Sequence, residues 1–186
     1  MKHLSRTDMR LFCLIIGFLI LTTSSVAALP SDKLFEKLKN ATSEQGAVLP
    51  EADVLAALLE SGSGTVDLLM ERANIAASNG DTELARELYD RIVLISPQFT
   101  EGWFQRSALF LQAENYSEAL RDLGEVLAIE NRHFPAWFRT AAILEILGST
   151  KEALTAYKKV LELHPNFIQA KRGVSRLSPS SDGQSL

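Results

Sequence analysis

From residue 66 onward the apolar positions follow helical spacing, and the whole pattern returns every 34 residues. Trp103-Phe104 is answered by Trp137-Phe138, Ala119 by Ala153 and Val126 by Val160, while Tyr89 returns as Tyr157 after two periods. A fixed period of this length marks a repeat architecture: each unit is a helix pair that cannot bury its apolar face alone, so neighbours must stack. The units fall at 66–99, 100–133 and 134–167, and each is predicted as helix, turn, helix. The fold class expected is all-α, a solenoid of antiparallel helix pairs.

Asn79-Gly80-Asp81, Glu114-Asn115 and Gly148-Ser149 divide the units. Asp81, Asn115 and Ser149 share a slot, where a side-chain oxygen is expected to accept from the open amides of the following helix. Glu118 and Glu152, three residues later, extend this towards a capping box. Ala85, Ala119 and Ala153 are small on the second helix, opposite Ala73, Ser107 and Ala141 on the first, as close helix approach requires. Tyr89, Leu123 and Tyr157, then Ile92, Val126 and Val160, fill the neighbouring large slots. Pro97 and Pro165 stop their helices, and Asn131 takes the corresponding turn in the middle unit.

The flanks are less regular. Ser31 is expected to cap a helix over 32–40 with Leu34, Phe35 and Leu38 apolar, and 42–49 to break it. Pro50 suits the first turn of a second helix over 50–60, with Val54, Leu55, Leu58 and Leu59 on its apolar face. This segment, 28–65, lacks the repeat's signature and is expected to be an N-terminal cap or a degenerate repeat. Residues 168–177 read as a C-terminal capping helix with Lys171, Arg172 and Arg176 exposed, and 178–186 as a disordered tail.

Residues 1–27 read as a secretory signal peptide: Lys2, Arg6 and Arg10 precede a run at 11–21 with no polar residue, followed by Thr, Ser and Ala. Cleavage is expected after Ala27 or Ala28. The alternative is an N-terminal membrane anchor, for which 11 apolar residues are short against the roughly 20 that a spanning helix needs. The chain carries 19 Lys+Arg against 23 Asp+Glu, and removing the basic leader makes the remainder more acidic, which argues against nucleic acid or an anionic membrane as partner. The single cysteine, Cys13, lies within the leader, so no disulfide framework is expected.

The set Trp103, Ser107, Phe110, Ala119, Leu123, Val126, echoed by Trp137, Ala141, Leu144, Ala153, Tyr157, Val160, Pro165, resembles the tetratricopeptide repeat (TPR). The first unit departs most, with Leu69 for the tryptophan and Ala76 for the large aromatic. The exported form, with short N-terminal helices, is similar to small periplasmic tetratricopeptide proteins of Gram-negative bacteria, notably alphaproteobacteria. The resemblance implies a non-enzymatic protein-interaction module of the periplasm that takes a peptide or helix of an envelope protein along its concave face. A structural scaffold or self-association module with an empty groove is the alternative.

No catalytic constellation, metal set or cofactor fingerprint stands out, and no cofactor is expected. His133 and His164 lie in turns without a Cys, a second His at helical spacing or a carboxylate pair beside them. Asn40-Ala-Thr42 and Asn115-Tyr-Ser117 match a glycosylation triplet, but chance and helix capping account for both. In the tetratricopeptide register the inward positions are Asp67, Met70, Glu71, Asn74 and Ser78, then Glu101, Phe104, Gln105, Ala108 and Gln112, then Phe138, Arg139, Ala142 and Glu145. The candidate protein-binding residues are Met70, Glu71, Asn74, Glu101, Phe104, Gln105, Phe138, Arg139 and Glu145. Aromatic anchors among polar groups suit peptide recognition. The acids Asp67, Glu71, Glu101 and Glu145 point to a ligand with apolar anchors and some basic character. Repeats that clamp the C-terminal carboxylate of cytosolic chaperones use a Lys/Asn/Asn/Lys/Arg set. Asn74 and Arg139 match it, but Met70, Gln105 and Pro135 stand in the other places, so no such clamp is expected.

Overall fold

A computed structural model describes residues 29–178; the leader and nearly all of the expected tail lie outside these described residues. Nine helices make up the described part. The three repeat units supply α3 (Gly64–Ser78) with α4 (Thr82–Ile95), α5 (Thr100–Gln112) with α6 (Tyr116–Ile129), and α7 (Phe134–Ile146) with α8 (Thr150–Leu163). They follow α1 (Asp32–Lys39) and α2 (Glu44–Leu58) and precede α9 (Ile168–Leu177). Each pair packs internally, and each second helix packs on the first helix of the next unit, ending with α8 on α9.

The slots read from the period are filled as close packing demands. Ala73, Ala85, Ser107, Ala119, Ala141 and Ala153 have no exposed surface, and Ile92, Leu123, Val126 and Val160 are equally enclosed. Trp103 and Trp137 are only partly buried. Each indole N–H donates to a carbonyl in the turn before its own helix, Pro97 at 3.0 Å and Asn131 at 2.8 Å, so the tryptophans pin successive units together as well as filling space. Pro97 and Pro165 sit just past α4 and α8, where a missing N–H costs nothing.

The turns inside the units differ from expectation. Asp81 Oδ1 accepts from the Leu84 amide at 3.1 Å, but Asn115 and Ser149 make no side-chain cap bond. The backbone does the work instead. Gly80, Glu114 and Gly148 take positive φ of 79°, 58° and 74°, and the next amide in each case reaches back five residues, Asp81 to Ala76, Asn115 to Phe110 and Ser149 to Leu144. This closes the first helix in a Schellman motif, so one residue is both the tail of one helix and the cap of the next. Glu114 holds a conformation normally left to glycine, at a cost of about 1–2 kcal/mol.

The N-terminal segment departs furthest. α2 begins at Glu44 rather than near Pro50, because Ser43 Oγ accepts from the Gly46 amide at 3.0 Å and burial of Ala47 rewards the extra turn. Pro50 therefore lies inside the helix, leaving the Gly46 carbonyl without its usual donor, a position worth about 3 kcal/mol less than alanine. Val54 and Leu58 are buried while Leu55 and Leu59 are exposed, and Ser31 makes no side-chain cap bond. More important, α1 and α2 do not stack before the first unit. Phe35, Leu38, Ala47, Val54 and Leu58 share a core with Phe134, Ala141, Ala156, Tyr157, Val160 and Ala170, and α1 packs on α8. The pair is thus neither a cap nor an extra repeat at the front of the stack but an arm folded back onto the third unit. Among the described residues, no side chain of α1 or α2 enters the core of the first unit.

Polar contacts fix the arm. Arg132, on the turn between α6 and α7, lies 4.2 Å from the Phe35 ring, bonds Asp32, and is held by Glu130 at 2.6 Å. Asn166 donates to the Ala41 carbonyl at 2.6 Å, and His164 Nε2 meets Glu51 Oε2 at 3.1 Å. Within the stack, Arg106 grips Asp122 through two bonds of 2.8 Å and Asp90 through a third, also 2.8 Å. Asp122 is buried, and the guanidinium also lies 4.8 Å from the Trp103 ring, so one cation joins α4, α5 and α6. Removing Asp122 takes two of its three carboxylate bonds from the largely buried Arg106 and leaves it Asp90 alone. Asp122→Ala is therefore expected to destabilise the fold by about 3 kcal/mol, read as a lower denaturant midpoint at unchanged slope.

Candidate functional site

α5, α7 and the start of α9 present the side chains of Phe104, Leu111, Phe134, Pro135, Phe138, Ala142 and Phe167 to one open cleft, and α2 crosses it with Glu51 and Leu55. The cleft encloses about 420 Å³. That lies within the usual range of ligand sites, as does a lining that is mostly apolar with a few polar groups. The polar groups here are Arg139 and Glu51.

The floor is built from the junctions between repeats. Phe99, His133 and Phe167 close the three units, 34 residues apart, and the next residue in each case opens the following helix. His133 is fully buried; its Nδ1 accepts from the Ala136 amide at 3.1 Å and thereby starts α7, and its ring lies 4.8 Å from Phe104. Phe134 meets His164 edge-on at 5.3 Å and Phe167 at 5.6 Å, while Phe138 lies 5.1 Å from Phe167 and 5.8 Å from Tyr157. These edge-to-face contacts make the floor rigid before any ligand arrives.

Of the nine candidate binding residues, Phe104, Phe138 and Arg139 come together around the cleft. Phe104 also packs under Arg139 of the next unit, and Phe138 against Tyr157 and Phe167 of its own, so each has a structural task while staying partly exposed. Arg139 spans two units: it bonds the Phe104 carbonyl and, at 2.9 Å, Ser107 Oγ, and stacks 3.6 Å above the Phe104 ring. Burial pulls its guanidinium down to about 10, with Glu101 opposing. Glu101 is buried, accepts from Gln105 at 2.6 Å, and lies 3.7 Å from His133 Nε2. Met70 belongs to the first unit's core, and Asn74 accepts from the Tyr89 hydroxyl at 2.7 Å. Burial, and then Glu101, push that hydroxyl up to about 12. Glu71 is exposed on α3, away from the cleft.

Glu145 accepts from Arg176 and Tyr157, each at 2.8 Å. Asp67 accepts from Ser61. Among the described residues, of the four acids that pointed to a basic ligand only Glu145 is paired with an arginine, while Asp67 and Glu101 accept from neutral groups and Glu101 is buried. Of the two matches to the carboxylate clamp, Asn74 is bonded to Tyr89, while Arg139 donates to the Phe104 carbonyl and Ser107 and, among the described residues, has no carboxylate in ion-pair contact.

Glu51, Leu55, Leu111, Phe134, Phe167 and the two histidines were not singled out as binding residues from the sequence. An aromatic ring in the last slot of each unit was the available signal for His133 and Phe167. Nothing in the local pattern signals Glu51 and Leu55, because only the folding back of the arm brings them there. Among the described residues, no group of three or more His, Cys, Asp or Glu side chains could hold a metal ion.

Stacked helix pairs with a side-chain-lined cleft along α5 and α7 define an α-solenoid. The tetratricopeptide-repeat profile matches residues 52–98 and 104–166, and the chain belongs to that family. A TPR repeat-containing protein of Rhizobium etli is 30% identical over 152 residues, which span 82% of this chain and 74% of the relative. The first TPR of Spaghetti (RPAP3), solved with an HSP90 peptide, superposes with a TM-score of 0.58 at 22% identity, covering 60% of this chain and 89% of that one. The Yersinia enterocolitica type III secretion chaperone SycD, solved with a peptide of the translocator YopD, superposes at 0.59 with 16% identity, covering 62% and 93%. At these identities the two structures establish the shared fold.

Arg176, and then the Tyr157 hydroxyl, hold the Glu145 carboxyl below the usual carboxylate range. A depressed folded-state value contributes stability above the unfolded value of about 4.5 and loses it as pH falls through the folded one. Glu145→Gln is expected to lower Tm near pH 7, and to lower it by progressively less as the pH is taken down from about 5 through the acid range, in thermal melts followed by circular dichroism.

Proposed function

We propose that this protein is a non-enzymatic adaptor, exported to the periplasm, that binds a helix or extended segment of an envelope protein in the cleft between α2 and the floor formed by α5 and α7. The observation that carries this reading is the cleft: Phe104, Leu111, Phe134, Phe138 and Phe167 surround about 420 Å³ open to solvent. Large rigid rings bury area at small entropic cost, which is what an interaction site needs. The basic, apolar, small-residue order of residues 1–27 supports export.

The phenylalanines are poor targets for a test, because truncating them would also loosen the packing between units. Filling the cleft avoids this. Ala142→Phe places a ring in the open space, and is expected to keep Tm within a few degrees while reducing capture of partner from an envelope extract at least tenfold. Undiminished capture by the folded variant would remove the cleft as the site.

One observation favours a second reading, self-association. The arm packs on the third unit, and among the described residues no α1 or α2 side chain enters the first unit's core, where Ile75 and Leu84 are 53% and 44% exposed and, with Leu88 and Ala76, line a hollow of about 410 Å³. Under that reading, light scattering on the purified protein shows a concentration-dependent dimer that Leu84→Lys abolishes; a monomer at all concentrations removes it.

A further inference from the structure

The groove already holds a helix, and that helix is the chain's own. α2 lies over the floor with Glu51 against His164 and Leu55 at the cleft, while Val54 and Leu58 enter the third unit's core. We infer that α2 is an internal occupant of the ligand groove and that the partner is a helix of the same chemistry, a carboxylate with apolar residues three, four and seven positions after it, which takes the place of α2. This rests on the cleft being the binding site.

Four features of α2 suit a displaceable occupant better than a permanent wall. It fits the floor incompletely, since the cleft remains open beneath Leu55. Pro50 and Gly46 weaken it as a helix. Its outward side is apolar and uncovered, with Val48, Leu49 and Leu59 exposed by 59%, 76% and 54%, a face that a finished surface seldom shows. It is also tethered to the stack by a short link containing Gly62, which takes a φ of 69°. Such a link gives α2 an effective concentration of the order of millimolar, so a free helix of equal intrinsic affinity competes poorly until the arm is weakened. Apparent affinity then rises in proportion to the open fraction.

The carboxylate requirement comes from the floor. Glu51 is the group that meets buried His164, and Arg139, which has no carboxylate in ion-pair contact among the described residues, lines the same cleft. A helix with a basic residue at the Glu51 position would leave the buried His164 ring without its carboxylate partner.

The test uses the arm's own sequence. A fluorescent peptide of residues 31–60 is titrated into the purified protein and into its Glu51→Lys and Val54→Asp variants. The proposal expects binding at least ten times tighter to both variants than to the unaltered protein, and none by a peptide that itself carries Glu51→Lys and Val54→Asp. Equal affinity for all three proteins, or equal binding by the altered peptide, overturns it. Should Val54→Asp unfold the repeats, hydrogen exchange on the unaltered protein decides. Amides of α1 and α2 exchanging together, ahead of α5 to α8, support displacement; exchange only with global unfolding overturns it. If Ala142→Phe loses its partner while Glu51→Lys gains no peptide affinity, the cleft stands and the displacement falls. Partner capture that survives Ala142→Phe removes the cleft itself.

Discussion

A helix pair of this size has one apolar face too many, and the rest of the structure follows from how that face is covered. Within the stack the next unit covers it, through alanine and serine slots that let helices approach and through tyrosine, leucine and isoleucine slots that fill the remainder. At the C-terminal end α9 does so, bringing Ala170 and Gly173 onto the third unit, where any Cβ at Gly173 would stand 2.7 Å from the Tyr157 ring. At the N-terminal end the expected cover is elsewhere. The arm places its apolar residues on the third unit, so among the described residues the first unit's outer face is left to solvent and the groove acquires a roof.

That exchange links stability to function. The side chains that hold the arm down also shape the cleft: Phe134 belongs to the arm's core and to the cleft floor, and His164 meets both Glu51 and the aromatic cluster. Arg139 and Trp137 tie the floor to the preceding unit, so the cleft cannot be reshaped without disturbing the stack. A binding surface on rigid elements is more exact than one on loops, and here the elements are rigid because each is a neighbour's core. The arm differs from the repeats: its second helix carries an internal proline and is joined to the stack by a short glycine-containing link.

Much of this was legible in the residues. The 34-residue period, the small slots at Ala85, Ala119 and Ala153, and the prolines after α4 and α8 follow from local rules, because each depends on spacing within one helix pair and its neighbour. Phe104 and Phe138 could be read as cleft residues for the same reason: a position in a repeat fixes its face. Other features could not. Asn115 and Ser149 have capping side chains, yet the left-handed residue before them lets the backbone close the helix without those side chains. Glu101 and Glu145 have the periodic position of groove acids, but each is tied to other side chains, Glu101 to Gln105 and Glu145 to Arg176 and Tyr157.

The sequence by itself determined the repeating helix pairs of the solenoid and, on α5 and α7, that Phe104 and Phe138 share one side, since both are consequences of periodicity. Only the tertiary structure decided where α1 and α2 go. Their apolar residues, Phe35, Leu38, Val54 and Leu58, could cover any apolar surface, because the hydrophobic effect has no direction. What selects the third unit is a set of partners far away in the chain: Arg132 for Asp32 and Phe35, Asn166 for the Ala41 carbonyl, and His164 for Glu51. No local pattern can announce contacts a hundred or more residues apart, and those contacts place a helix of the chain in its own groove.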